Sequence, residues 1–457
     1  MDSRHSRSRK AALINRRLVR PRRPSLLRPS RLSSTLRGVE RMNRAVSLSR
    51  RTFVGLLAAA GLSPRAVAAQ NTARAVLYVA VGSELMCYEA DDTKLALQKI
   101  DTIRVPEAVQ YAWKHPSKPL LYVAFSNRYT SKADDRHGVA VYAIDQDTGR
   151  LQQFGEPVFL KNRPVNLTLD PAGRYLLVAY NMPSDLTVHA LGENGSIGVE
   201  IKQSGSIDAG IYAHQVRVSP SGKLVVLPTR GNDPGAGKPE DPGALKVFRF
   251  EAGQLSHETS ITKGNGLGFG PRHVDFHPEK PWMFVSMERN NQLLVYGTSD
   301  EGIDPKPLFE RYTAENHEAR LPVQFVGPIH VHPNGRFVYL ANRSDGTIDF
   351  AGRKVHGEGE NTVAVFSINP ASGEPTLIQT IDTLTFHCRT FSIHPAGRML
   401  VTAAVAPLDV RDGGAVRTVP AGLTVFDVAD DGKLNFARKY EVDIGKDWMF
   451  WCGMVAL

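Results

Sequence analysis

Cysteine is nearly missing from this chain: Cys87, Cys388 and Cys452 are the only three in 457 residues. An odd, low count excludes a disulfide-built scaffold. All three fall in or beside expected strands, where a free thiol packs as a small apolar group. A Cys87–Cys452 bridge stays open at this stage, because both fall in one expected sheet. Sequence signatures of several chemistries are missing too. There is no Gly-x-Ser-x-Gly elbow, no His-Glu-x-x-His and no Cys-x-x-Cys, which excludes the familiar serine-elbow, zinc-helix and dithiol sites. Beyond the N-terminal region no run is long and apolar enough to cross a bilayer. An acidic-to-basic imbalance is also missing from most of the chain. The formal charge is +10, but residues 1–41 alone carry 13 Lys or Arg against Asp2 and Glu40. Residues 42–69 add four arginines, which leaves about −5 for residues 70–457. A mildly acidic body gives no case for nucleic acid.

What is present is a repeated turn. It reads Lys114-His115-Pro116, Leu169-Asp170-Pro171, Val218-Ser219-Pro220, Phe276-His277-Pro278, Val331-His332-Pro333 and Ile393-His394-Pro395. The prolines stand 55, 49, 58, 55 and 62 residues apart. Each turn separates two short apolar runs rich in β-branched and aromatic residues, which read as strands. Pro presets the first turn dihedral, and Gly or Asn takes the left-handed position. A second, acidic turn follows each copy, and Asp91-Asp92-Thr93-Lys94-Leu95 is a seventh with no Pro turn before it. The missing strand comes from the other end of the sequence: the run 450–457 has the character of the strand that precedes a Pro turn, and the run 75–80 that of the strand after it. A long fixed period fixes the architecture. The expectation is an all-β, seven-bladed β-propeller over residues 70–457, four antiparallel strands per blade, closed by pairing of the terminal strands.

The N-terminal region reads differently. Residues 1–41 are rich in Arg, Ser and Pro without apolar periodicity, the composition of a disordered extension. Translation is expected to begin at Met42. Ser49-Arg50-Arg51-Thr52-Phe53, an Ala-rich apolar stretch and Ala66-Val67-Ala68-Ala69 follow in the order of a twin-arginine export signal with a cleavage site. The expected partner is the twin-arginine export machinery, and the expected destination is the periplasm or outside the cell, with no membrane attachment after processing.

Spacing from the prolines places the chemistry. In a propeller the strand before the Pro turn is innermost, and its first residues line the channel mouth. Six positions before each proline stand Gln110, Val165, His214, Arg272, Gly327 and Arg389. Ten positions after stand Ser126, Asn181, Arg230, Glu288, Arg343 and Val405. His214, Arg272, Glu288 and Arg389 are thus expected to converge from different blades, with one carboxylate among arginines. A structural ion-pair network in a wet channel explains the same spacing. The His-Pro histidines His115, His277, His332 and His394 read as structural parts of the turn. Gly264 to Gly270 lacks the spacing and the following helix of a nucleotide loop, and reads as an approach to Arg272. Asn181 and Glu288 carry oxygens a cation could use, but no metal or other cofactor is demanded.

Ala213-His214-Gln215-Val216, Gly270-Pro271-Arg272-His273-Val274-Asp275-Phe276-His277-Pro278, Met287-Glu288-Arg289-Asn290 and Arg389-Thr390-Phe391-Ser392-Ile393 resemble the landmark motifs of the seven-bladed propeller lactonases. That family groups propeller-type 6-phosphogluconolactonases with a carboxymuconate cyclase. The resemblance runs from about residue 74 to the C-terminus. It implies a carboxylic-ester hydrolase acting on a sugar or acid lactone, with His214, Glu288, Arg272 and Arg389 catalytic; the mouth positions Gln110, Asn181, Arg230 and Arg343, with His273 beside Arg272, are expected to bind substrate. Four insertions depart from it, Gly231 to Gly243, Tyr312 to Val326, Asp345 to Glu360 and Ala406 to Pro420, and are expected to form loops over one face. Opening a lactone needs an activated water, charge stabilisation on the carbonyl oxygen and a proton for the leaving alkoxide. Either His214 or Glu288 can be the base, and Arg272 is the expected oxyanion donor. Two other readings remain: a propeller that binds a ligand or protein without chemistry, and a muconate-type cyclase running the lactone step in reverse.

Overall fold

The computed structural model describes residues 74–128, 134–235, 237–315 and 323–457. The basic extension, the Met42 start and the export leader lie outside the described residues. Among the described residues there is no helix. Seven antiparallel sheets form the blades of the propeller. The fifth blade shows the pattern: Pro271–Phe276 is innermost, followed outward by Trp282–Met287, Gln292–Gly297 and Phe309–Tyr312. Only the second blade departs in strand count. Its outer strand is broken into Leu151–Gln153 and Val158–Leu160, both paired with His137–Ile144.

The first blade is built from both ends. Ala75–Val81 pairs with Glu84–Asp91 on one side and with Met449–Ala456 on the other. Both faces of that strand are buried. Tyr78 and Ala80 pack with Leu121 and Val123 of the second blade, while Leu77 and Val79 pack with Val401 and Val425 of the seventh. The same holds around the ring, where seven apolar cores each join two neighbouring blades. A strand buried on both faces has no need of polar alternation, which is why the second strands read as continuous apolar runs. The alternation also decides the cysteines. Cys87 lies opposite Tyr78 and Cys452 opposite Val79, so their side chains point to opposite faces and into different cores. The Cys87–Cys452 bridge is therefore ruled out; all three thiols are free and buried, and burial pushes each up to about 12.

The repeated turns latch blade to blade. Nδ1 of His277 accepts hydrogen bonds from the N–H groups of Glu279 and Lys280. The proton therefore sits on Nε2, which donates to the Gly335 carbonyl in the next blade at 2.9 Å. His115 makes the same link to Gly173 and His332 to Gly397. His394 has no Pro turn ahead of it and lies instead against Asp92 of the first blade, at 3.5 Å. A second set of latches runs from tyrosine hydroxyls to the acidic turns: Tyr78 to the Gly149 carbonyl, Tyr122 to Gly195 and Tyr339 to Gly432. The histidines of the Pro turns are thus structural, as their position suggests.

All four insertions leave from strand ends on the channel-mouth face. Two of them are not loops but hairpins. Thr347–Phe350 pairs with Arg353–His356, and Leu408–Asp412 with Ala415–Val419. The hairpins hold each other through Arg353 and Asp409 at 2.5 Å and through the Arg411 guanidinium 4.4 Å over the Phe350 ring.

Gly335 tests the latch. Its φ is +70°, and a Cβ there would stand 2.5 Å from the His277 ring. Gly335→Ala should therefore cost about 1–3 kcal/mol, read as a lowered urea midpoint. Gly205→Ala, where nothing lies within 4 Å, is the control. Equal midpoints for the two variants would show that the latch does not hold the blades.

Candidate functional site at the channel mouth

A β-bulge aims the site. In the second blade Val109 pairs with Phe125 and Tyr111 with Ala124, leaving Gln110 as the extra residue. The same shift leaves Val165, Arg272, Arg389 and Phe450 unpaired in four other inner strands, and falls at Gly327 in the sixth. These are the positions six before the prolines, plus Phe450 in the closing strand. A bulged residue escapes the alternation of the strand and turns toward the channel. The fourth blade reaches the same end by a broken inner strand, with only Arg217–Val218 regular and an isolated bridge between Ala213 and Thr229 upstream of His214.

Glu288 is the centre of the cluster. Its carboxylate bonds Arg230 and Arg343 and pairs with Arg272 Nε at 2.9 Å. Burial alone would raise its carboxyl, but Arg343, Arg272 and Arg230 together outweigh burial and hold it at about 2. The N–H of Glu288 donates to the Gly270 carbonyl at 2.8 Å, so the glycine-rich stretch ends as a support for this residue. Arg230 is further fixed by Asp233 at 2.5 Å, from the first insertion. Arg389 differs from these: its guanidinium lies 3.9 Å over the Phe450 ring. Burial, then Arg343 and Arg163, lower it to about 9.

His214, Asn181, Arg230, Glu288, Arg343 and Arg389 all line one cavity of about 580 Å³. Three expected site residues sit elsewhere. Arg272 is 1% exposed and stands behind Glu288, so it braces the carboxylate and is no open oxyanion donor. His273 is packed edge-on against the back of His214, ring centres 5.1 Å apart. An inner strand alternates, and one step along it from the bulge turns a side chain away from the mouth. Gln110 lies in a neighbouring pocket and is committed to Arg163, whose Nε donates to its Oε1 at 2.8 Å.

The imidazole of His214 is held well below its usual value, first by burial and then by Arg272, Arg389, Arg343 and Arg230. It is neutral at neutral pH. Its buried Nδ1 has no hydrogen-bond partner among the described residues. Glu288 is the reverse case, a carboxylate already shared among three guanidiniums and correspondingly weak as a base.

Several residues of the cavity escaped the sequence spacing. Phe450 occupies the bulge of the closing strand, where no proline follows to mark it. Trp448 lies at the rim and is 54% exposed. His387 is a third. Its Nδ1 lies 2.9 Å from Asp345, and its Nε2 lies 2.6 Å from Arg343 Nη1. Since the guanidinium can only donate, Nε2 accepts and Nδ1–H donates to the carboxylate. The chain Asp345–His387–Arg343–Glu288 thus ties the third insertion to the cluster. Among the described residues no group of His, Cys, Asp and Glu is arranged to hold a metal.

Comparison with known proteins places this geometry. The family described as "Lactonase, 7-bladed beta-propeller" matches residues 66–406. A 6-phosphogluconolactonase of Serratia proteamaculans is 25% identical over 78% of this chain and 91% of its own length. One of Bacillus subtilis is 24% identical over 71% of this chain and 86% of its own. Among solved structures, the periplasmic gluconolactonase PpgL of Pseudomonas aeruginosa has the same fold, with a TM-score of 0.64 at 21% identity, covering 84% of this chain and 99% of that one. The chain therefore belongs to the seven-bladed β-propeller lactonase family and is a lactonase of that class.

Proposed function

We propose that the channel mouth opens a sugar lactone by general-base hydrolysis with His214 as the base. The observation that carries this is the division of labour at the cavity wall. Glu288 is engaged by three arginines, whereas His214 is neutral and the Arg389 guanidinium is laid on the Phe450 ring with no ion pair to Glu288. Water adds to the carbonyl carbon as its proton passes to the imidazole. The carbonyl oxygen takes up negative charge facing the guanidiniums, with Arg389, which makes no ion pair with Glu288, as the donor. The ring C–O bond then breaks, and the imidazolium returns its proton to the departing alkoxide, leaving a hydroxy acid. Glu288 acts by orienting Arg230 and Arg343, and Arg272 holds Glu288 in place. Asn181 offers an amide for substrate hydroxyls.

The relatives named 6-phosphogluconolactonase support a sugar-acid lactone as substrate. The twin-arginine-like leader supports export, and with it a periplasmic or secreted site of action on an extracytoplasmic lactone. A role in carbohydrate metabolism follows from the substrate class. No nucleic acid or cofactor enters the scheme.

The pH profile checks the base. A His held below 6.5 stays neutral across the neutral range, so kcat/KM should be flat near pH 7 and fall only as acid protonates His214, below pH 6.5. His214→Gln should lose roughly 10²–10⁴-fold in turnover with little change in melting temperature. An acid limb above pH 7, or full activity in this variant, would assign the base elsewhere.

Arg389 is tested by Arg389→Lys, which keeps a positive charge but loses the planar fork and its stacking on Phe450. Turnover of a lactone should drop about 10²-fold, the scale of one oxyanion donor. Unchanged turnover per folded molecule would remove Arg389 from the reaction.

A further inference from the structure

Beside the lactone cavity lies a second pocket of about 190 Å³, between the first and second blades. The two are contiguous, because Arg163, Trp448 and Phe450 line both. The second pocket adds Gln110, Arg128, Lys446 and Asp447 to that shared wall. It exists because the ring closes there: the N–H of Gly82 donates to the Trp448 carbonyl, and the N–H of Val109 to the Gly82 carbonyl. This fixes the segment before the closing strand against the entry of the second blade.

Its chemistry is specific. Trp448 is the one exposed tryptophan of the four, an apolar face standing at the border of two polar hollows. Around it are donors (Arg128, Arg163, Lys446), an acceptor (Asp447) and an amide (Gln110). A flat aromatic face with hydrogen-bonding groups of both kinds suits a pyranose ring, which offers C–H groups on its faces and hydroxyls at its edge. Three cations and one carboxylate line the pocket, so it is the exposed Trp448 face together with the Asp447 acceptor that favours a sugar ring over a bare phosphate.

Building on the reading that the mouth opens a sugar lactone, we propose that this pocket is a subsite for a second sugar ring. The preferred substrates are then lactones of disaccharide acids: the lactone ring sits among His214, Glu288 and Arg389, and the glycosidically linked pyranose stacks on Trp448. Trp448 is the specificity-determining residue, and Gln110, held by Arg163, faces the second ring's hydroxyls.

The test compares glucono-δ-lactone with cellobiono-δ-lactone and maltobiono-δ-lactone, using the full chain. A disaccharide lactone should have the higher kcat/KM. In Trp448→Ala the ratio of disaccharide to monosaccharide kcat/KM should fall roughly tenfold, the scale of one stacked-ring contact. Cellobionic or maltobionic acid should quench tryptophan fluorescence of the wild-type protein, and Trp448→Phe should abolish that quench. A monosaccharide preference, or an equal loss on all lactones in Trp448→Ala, would overturn the subsite while leaving the lactonase reading intact. Quenching by inorganic phosphate, with preference for a 6-phosphorylated lactone, would overturn it in favour of a phosphate pocket. If no lactone is hydrolysed the hydrolytic reading fails, and the fluorescence titration alone decides the subsite.

Discussion

The site exists because the ring closes. Met449–Ala456 pairs with Ala75–Val81 to complete the first blade, and that pairing covers the edge Ala75–Val81 would otherwise present toward the channel. It also completes two of the seven cores, on either side of the first blade. At its mouth end the closing strand delivers Phe450, on which Arg389 of the seventh blade rests, and just before it Trp448. Without closure His214 of the fourth blade and Arg389 of the seventh would have no common cavity. The latches carry the same constraint around the ring: each fixes a turn of one blade against a carbonyl of the next, so the mouth positions keep their relative spacing.

Within that frame one carboxylate sets the electrostatics. Burying several arginines together is costly unless charge is compensated. Glu288 compensates three of them and is thereby held ionised to about pH 2. The same cations, after burial, keep the His214 imidazole neutral. A single cluster thus produces an inert anion and an unprotonated imidazole side by side, the pair of states that hydrolysis of a neutral ester calls for. The bulges make this affordable in backbone terms, since one extra residue per inner strand turns a polar side chain into the mouth while its neighbours stay in the apolar cores.

Much of this was legible in the sequence. The period of the prolines located six blades and the unpaired acidic turn 91–95 the seventh, and the offsets from the prolines pointed to His214, Asn181, Arg230, Glu288, Arg343 and Arg389, because turn and bulge keep a constant separation along each inner strand. The offsets failed where that regularity does not determine depth. Arg272 occupies a mouth position but lies behind Glu288, and no spacing reports which of two paired groups faces the cavity. His273 belongs to a motif and not to an offset, and strand alternation sends it away from the mouth. Phe450 had no following proline to mark it. Asp345 lies in an insertion and His387 before a strand, so neither obeys the repeat. The two hairpin insertions were unreadable as such, since their short runs carry few buried residues to give them a pattern.

The insertions are the part of the molecule that the repeat does not dictate, and they are joined to the part that it does. Asp233 of the first holds Arg230, and Asp345 of the third reaches Arg343 through His387. Both arginines grip Glu288. A change in either insertion is therefore felt at the carboxylate through one or two charged contacts, while the blades themselves stay fixed by their shared cores. Selectivity in this chain can consequently change by altering the rim without disturbing the fold. Arg230 and Arg343 of the cavity wall cannot be regarded as independent of the insertions beside them, because their geometry is set in part by carboxylates those insertions supply.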